Sequence, residues 1–263
     1  MSNYSWSPAQ YQRFADERGR PFFDLLGQVR ATDPGYVVDL GCGPGTLTAA
    51  LLQRWPGALV EGVDSSPAML DTAATRAVPD RLAFTLADLR AWVPRRPVNV
   101  LISNATLQWV GGHADLLPRL VACLDDGGWL AFQVPGNGDA PAHAILTELS
   151  ASPRWRTQLE GTGRDPAWVL SPAGYLTLLT DLGCSVDAWE TTYLHVLRGT
   201  DAVLEWMKGT ALRPAIDALA GDDRDVFLAE YASRLRDAYP ERPGGEVILP
   251  FRRIFVVATR DAT

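Results

Sequence analysis

Asp39-x-Gly41-x-Gly43-x-Gly45 sets one acid and three glycines at every second position. Glycines so spaced let a backbone turn sharply and leave no side chains between it and a ligand. An acid at the head of the turn suits an ammonium group and suits a pyrophosphate poorly. Cys42 lies inside the same turn. Two more acids follow in order. Asp64, with Ser65 beside it, stands 19 residues beyond Gly45, close to the spacing of an acid that accepts hydrogen bonds from ribose hydroxyls. Asp88 can meet an adenine amino group while neighbours such as Leu89 flank the ring, and Asn104 completes the series. Taken singly, the glycine turn could be a tight turn that binds nothing, and Asp88 could be a helix cap. His113, His143 and His195 are scattered, without metal-ligand spacing, so no metal is expected.

These residues need elements to hold them. Tyr36 to Leu40 reads as a short buried strand, and from Thr46 the residues Leu47, Leu51, Leu52 and Trp55 recur at helical spacing. The first turn of that helix offers free N–H groups and the positive end of its dipole to an anionic group. Leu59 to Asp64, Leu82 to Leu86, Val98 to Asn104 and Trp129 to Val134 read as further strands. Ser66-Pro67 starts one intervening helix; Asp115 to Leu124 forms another, stopped by Asp125-Asp126-Gly127-Gly128. Strands alternating with helices call for a parallel sheet with right-handed crossovers, and Asn104 then sits at a strand's carboxyl end, where ligands bind in open α/β sheets.

At the start, Ser7-Pro8 opens a helix carrying Tyr11, Phe14 and Arg18, Arg20-Pro21 breaks it, and Phe22 to Val29 begins another. This is either a helical hairpin over a sheet edge or part of a lid. The second half adds helices at 141–149 and after Ser171-Pro172, a strand over 185–196, helices over 200–239 and a last strand at 251–259.

The chain has 263 residues, 47% apolar and 21% charged, with net charge −7. That balance argues against a nucleic-acid coat or a polybasic membrane surface. Lys208 is the single lysine among 24 basic residues, so any one arginine carries little information. The cysteines Cys42, Cys123 and Cys184 form no pair, and no apolar run approaches a membrane span. The expectation is a reduced, cytoplasmic enzyme.

The ordered set Asp39–Gly45, Asp64, Asp88 and Asn104 resembles the class I S-adenosylmethionine-dependent methyltransferases over residues 35 to 135. A closer resemblance runs through nearly the whole chain. Tyr11-x-x-Phe14-x-x-Glu17-Arg18-x-Arg20-Pro21, Asp64-Ser65-Ser66-Pro67-Ala68-Met69, Asn104-Ala105-x-Leu107-Gln108-Trp109, Thr191-Thr192-Tyr193-x-His195 and Gly209-Thr210-x-Leu212-Arg213-Pro214 are similar to the trans-aconitate 2-methyltransferase family. Thr46-Leu47-Thr48 departs mildly from it. The resemblance implies a Rossmann-like α/β fold. Its mostly parallel seven-stranded sheet would have an antiparallel last strand, N-terminal helices and a helical insertion between the last two strands. One methyltransferase domain over residues 1–263 would comprise a helical lid (1–34), a cofactor-binding core (35–135) and a helical cap (197–246).

The implied reaction is methyl transfer from S-adenosylmethionine to a carboxylate of trans-aconitate, giving a monomethyl ester. A carboxylate is already an anion at neutral pH, so no general base is needed and no residue need act beyond positioning. Arginine suits carboxylate recognition because its planar fork pairs bidentately and keeps its proton. The candidate clamp is Arg18, Arg20, Arg213 and Arg253, with Tyr11, Gln108, Trp109, Tyr193 and His195 lining the pocket; each could instead be a surface or packing residue. Tyr193 and His195, two apart on a strand, share a face. The partner expected is a small polycarboxylate, with no nucleic acid or membrane, met by a monomer. Rival readings are a methyltransferase for another carboxylate, a methyltransferase for a hydroxyl or amine that would need a base, a nicotinamide oxidoreductase and a non-catalytic binding module.

Overall fold

The computed structural model describes residues 15–162 and 169–262, the first four by backbone alone. The order is α1 (Ala15–Leu26), β1 (Tyr36–Leu40), α2 (Thr46–Arg54), β2 (Leu59–Asp64), α3 (Pro67–Ala73), β3 (Leu82–Leu86), β4 (Val98–Asn104), α4 (Leu117–Ala122), β5 (Leu124–Pro135), α5 (Pro141–Ala151), α6 (Pro172–Asp181), β6 (Cys184–Arg198), α7 (Ala202–Lys208), α8 (Arg213–Ala218), α9 (Gly221–Ala238) and β7 (Glu246–Arg260). The seven strands form one sheet in the order β3-β2-β1-β4-β5-β7-β6. β1 pairs in parallel with β2 and β4, as do β2 with β3 and β4 with β5; β7 runs antiparallel to β5. The expected fold is therefore the observed one, helical insertion between the last two strands included.

The chain divides into two compact units. The larger comprises, among described residues, 15–136, 169–191 and 253–262. Its inner strands are buried on both faces, and β1 is buried at all five positions, which is why they read as almost continuous apolar runs. Its core joins Val38 and Leu40 of β1, Leu101 of β4, Phe132 and Val134 of β5, Tyr175 and Leu179 of α6, and Ile254 and Val256 of β7. β1 and β4 are neighbours in the sheet but not in sequence. The chain winds outward from them in both directions, which makes their carboxyl ends the switch point where such sheets bind ligands. The other unit comprises, among described residues, 137–162 and 192–252. In it Tyr231 Oη donates to the Ala142 carbonyl at 2.8 Å, Ala142 N–H donates to Tyr239 Oη at 3.1 Å, and Trp155 packs edge-on to Phe227.

Two expectations need correction. The helix does not end at Pro21: α1 continues through it to Leu26. Phe22, Leu25 and Leu26 are almost fully buried, and burial of that face offsets the hydrogen bond that proline forfeits. Nor does Asp125–Gly128 separate a helix from a strand. A 3₁₀ turn at His113–Leu116 leads into α4, which ends at Ala122, and Asp125–Gly128 lies within β5. Leu124 pairs with Val98 and Trp129 already with Val100, so the acidic and glycine residues are absorbed as an irregularity in the ladder. The expected start at Ser7-Pro8 lies outside the described residues.

Candidate active site

Three consecutive N–H groups of the glycine loop are held by the end of β2. Gly41 and Cys42 donate to the Val63 carbonyl at 2.7 and 3.1 Å, and Gly43 donates to Asp64 Oδ2 at 2.9 Å. Asp64 Oδ1 accepts from Ser66 N–H at 2.8 Å. Ser66 also caps α3, its side chain accepting from Met69 N–H. Asp64 is half-buried and Ser65 exposed. Burial pushes the Asp64 carboxyl above its ordinary range, opposed by the Ser66 and Gly43 amides. Across the switch point, Ser103 Oγ donates to the Leu40 carbonyl at 2.8 Å and Thr106 Oγ1 to that of Gly41 at 3.3 Å. The loop is thus fixed from both neighbouring strands.

Asp39 sits beneath it, 3% exposed, accepting from Thr48 Oγ1 at 2.6 Å. Burial pushes its carboxyl up to about 7 despite that hydrogen bond, with the nearby Asp64 adding to the rise. The Cys42 thiol is pushed far up by burial and by both acids, which makes it inert as a nucleophile. Asp88 is half-buried, its Oδ1 accepting from Arg90 N–H at 2.9 Å. Leu89 points into the core cluster, and its carbonyl accepts from Arg119.

The loop fits a ligand lying against its backbone. Gly41 and Gly43 both have positive φ, 78° and 54°. A Cβ on Gly41 would stand 2.1 Å from Thr106 Oγ1, whereas one on Gly43 would meet nothing within 4 Å. Gly41 is thus required by packing, and Gly43 faces open space.

Asn104, at the end of β4, accepts from Gln133 Nε2 at 2.7 Å, and Gln133 Oε1 accepts from Arg253 Nη1 at 3.1 Å. All three side chains are buried. The next residue, Ala105, has φ 53°. Its carbonyl receives Gln108 Nε2, and Gln108 Oε1 is buried without a partner among the described residues. Trp109 is half-buried in the same 3₁₀ turn. Arg20 is exposed on α1 and lies 3.7 Å from Asp24; Arg18 is described by backbone alone, and Tyr11 lies outside the described residues.

In the other unit, Tyr193 and His195 stack on one face of β6 with ring centres 6.3 Å apart. His195 also stacks on Trp206 at 4.7 Å and lies 5.8 Å from Phe251. Arg213 pairs with Asp217 at 3.2 Å, one turn along α8. The motifs gave no site role to Thr48, Thr106, Gln133, Trp206 or Phe251. Gln133 had one available signal: it is the only non-apolar residue in Trp129–Val134. Among the described residues no cluster of His, Cys, Asp or Glu could hold a metal, and no helix is long and apolar enough to cross a membrane.

A doubly wound sheet in this strand order, with a glycine loop after β1 tied to an acid at the end of β2, defines a class I methyltransferase, whose methyl donor is S-adenosylmethionine. A family model described as a methyltransferase domain matches residues 37–128. The solved structure of the YcgJ protein from Bacillus subtilis covers 93% of this chain and 99% of its own at a TM-score of 0.61 and 12% identity, a likeness of fold. A protein of Streptomyces avermitilis named trans-aconitate 2-methyltransferase is 51% identical over 264 residues, 98% of each chain. One of the same name from Mycolicibacterium gilvum is 52% identical over 96% of this chain and 98% of its own. The chain belongs to the trans-aconitate 2-methyltransferase family.

Proposed function

We propose that this protein methylates a carboxylate of trans-aconitate to give its monomethyl ester. The observation that carries the reading is identity near one half over 96–98% of the chain, well beyond the 92 residues of the general methyltransferase match. The cofactor would rest on Gly41–Gly45, with Asp64 and Ser65 toward its ribose, Asp88 and the Leu89 backbone toward its adenine (the Leu89 side chain being taken up by the core), and Asp39, Cys42 and Asn104 supporting the remainder. Bound there, S-adenosylmethionine supplies an electrophilic methyl group.

The chain's own work is to bind a trianion and aim one oxygen. Arg253, Arg213, Arg20 and Arg18 are the candidate carboxylate partners, and Tyr11, Gln108, Trp109, Tyr193 and His195 the candidate lining. Charge-assisted hydrogen bonds are worth about 1.5–3 kcal/mol each, enough for a few to offset much of the cost of desolvating carboxylates. They would grip the carboxylates that do not react, because a bidentate clamp on the reacting one would withdraw its electron density. No base is required. His113 bonds to Tyr175 in the core at 2.6 Å and His195 is packed among aromatic rings, roles that suit positioning and packing. We place the enzyme in the cytoplasm as a monomer.

The test uses methyl-labelled S-adenosylmethionine with trans-aconitate, cis-aconitate, citrate, isocitrate, malonate and a fatty acid. The expected result is base-labile, volatile label, greatest with trans-aconitate. Preference for another acid discards the substrate and keeps the chemistry. Label stable to base, or a bell-shaped rate profile near neutrality, would indicate a hydroxyl or amine acceptor.

A further inference from the structure

Gln133 is fully buried in the middle of the sheet, and both ends of its amide are engaged. Guanidinium nitrogens only donate, so the Gln133 atom facing Arg253 Nη1 is its oxygen. The opposite end is then the NH₂ group, and the Asn104 atom it meets must be an acceptor. A side-chain amide is ordinarily ambiguous between its two orientations; here a permanent cation fixes one amide and that amide fixes the next. Asn104 Oδ1 is consumed internally. Its Nδ2 has no hydrogen-bond partner among the described residues and is not sealed from solvent.

We propose that Gln133 is a positioning residue: it locks Asn104 with its N–H donors outward, so that Asn104 binds a carboxylate of the bound ligands. The inference rests on the reading that Asn104 borders the ligand site, at the carboxyl end of β4. The chain of bonds also has a direction. Each group that receives a hydrogen bond at its oxygen becomes a better donor at its nitrogen, so successive bonds strengthen one another. Arg253 thereby increases the acidity of the Asn104 N–H through Gln133. A carboxylate on the cofactor's amino-acid part and one on the substrate share this chemistry.

The experiment is a double-mutant cycle between Gln133→Glu and Asn104→Ala in the full-length enzyme. Glutamate keeps the acceptor for Arg253, removes the donor to Asn104 and favours the reversed Asn104 amide. Two readouts separate the ligand sources: the Kd of S-adenosylhomocysteine by calorimetry, and the KM of trans-aconitate at saturating cofactor. Gln133→Glu should weaken one of them about tenfold with a smaller change in kcat. The same substitution should have no further effect in the Asn104→Ala background. Gln133→Met, which is apolar and similar in length, repeats the cycle and keeps it decisive if the glutamate variant fails to fold. Additive losses, or full affinity in Gln133→Met, overturn the proposal. Unchanged affinity for both ligands in Asn104→Ala alone identifies the failure as that of the underlying reading of Asn104. Wild-type protein that binds neither ligand overturns the functional assignment itself, and the proposal with it.

Discussion

Gly41 and Gly43 share a left-handed backbone and differ in what surrounds them, so the same substitution should separate packing from binding. Gly41→Ala drives a methyl into Thr106 and should cost about 2–4 kcal/mol in urea denaturation. Gly43→Ala meets open space and should cost only the backbone penalty, about 1–2 kcal/mol, yet weaken S-adenosylhomocysteine at least tenfold. Equal affinity in Gly43→Ala would remove the loop backbone from the cofactor site. Asp39 makes a prediction of another kind. Its carboxyl titrates near 7 in the fold and near 3.8 when unfolded. Well below pH 4 both states hold the proton and the penalty for burying a charge is absent. As pH rises toward 7 the unfolded chain releases its proton while the fold retains it, so stability falls, by at most roughly 4 kcal/mol for this group. Asp39→Asn should flatten the decline between pH 4 and pH 7, measured as unfolding free energy across that range. An unaltered slope would mean that Asp39 is ionised throughout.

Elements were legible where one physical requirement dominated. Buried parallel strands must be apolar, and Val37-Val38, Val60 and Val100-Leu101-Ile102 say so in sequence. Helix starts at Ser66-Pro67 and Ser171-Pro172 were equally plain, and both serines do cap. Pro21 and Asp125–Gly128 misled because local preference there opposes tertiary burial and the sheet ladder. At the second of these, a Cβ on Gly128 would lie 2.8 Å from the Asp125 carbonyl and 2.9 Å from that of Val98. Gly128→Ala should therefore lose about 2–3 kcal/mol, more than Gly127→Ala, which has open space around it and costs only the backbone penalty of its φ of 71°, about 1–2 kcal/mol. Thermal unfolding of the pair checks the order. The candidate site was legible to the same degree: the glycine loop and its acids carry a spacing, whereas Gln133 has no motif and matters only through what lies on either side of it. Individual arginines could not be ranked from sequence, since all but one of the 24 basic residues are arginine. Burial distinguishes them, with Arg253 3% exposed and Arg20 on the surface.

For the molecule as a whole, the segment that carries the recognisable loop depends on later chain for its sheet pairing and core. A chain cut after residue 136 keeps the full methyltransferase match and every candidate cofactor residue. It loses the seven-residue pairing of β5 with β7 and the core side chains Tyr175, Leu179, Ile254 and Val256. An exposed, apolar strand edge of that kind recruits other chains. The fragment should be insoluble or aggregated, and size-exclusion chromatography after expression reads the result. A soluble, cofactor-binding fragment would show the sheet to be stable without its antiparallel strand.

β7 follows the other six strands in sequence and yet lies between β5 and β6. During synthesis six strands leave the ribosome while the place of the seventh is still open. Arg253 arrives with that strand, so a nascent chain carries the glycine loop long before it carries the cation that orients Gln133 and Asn104. The geometry that orients the Asn104 amide is then complete only once β7 has taken its place between β5 and β6.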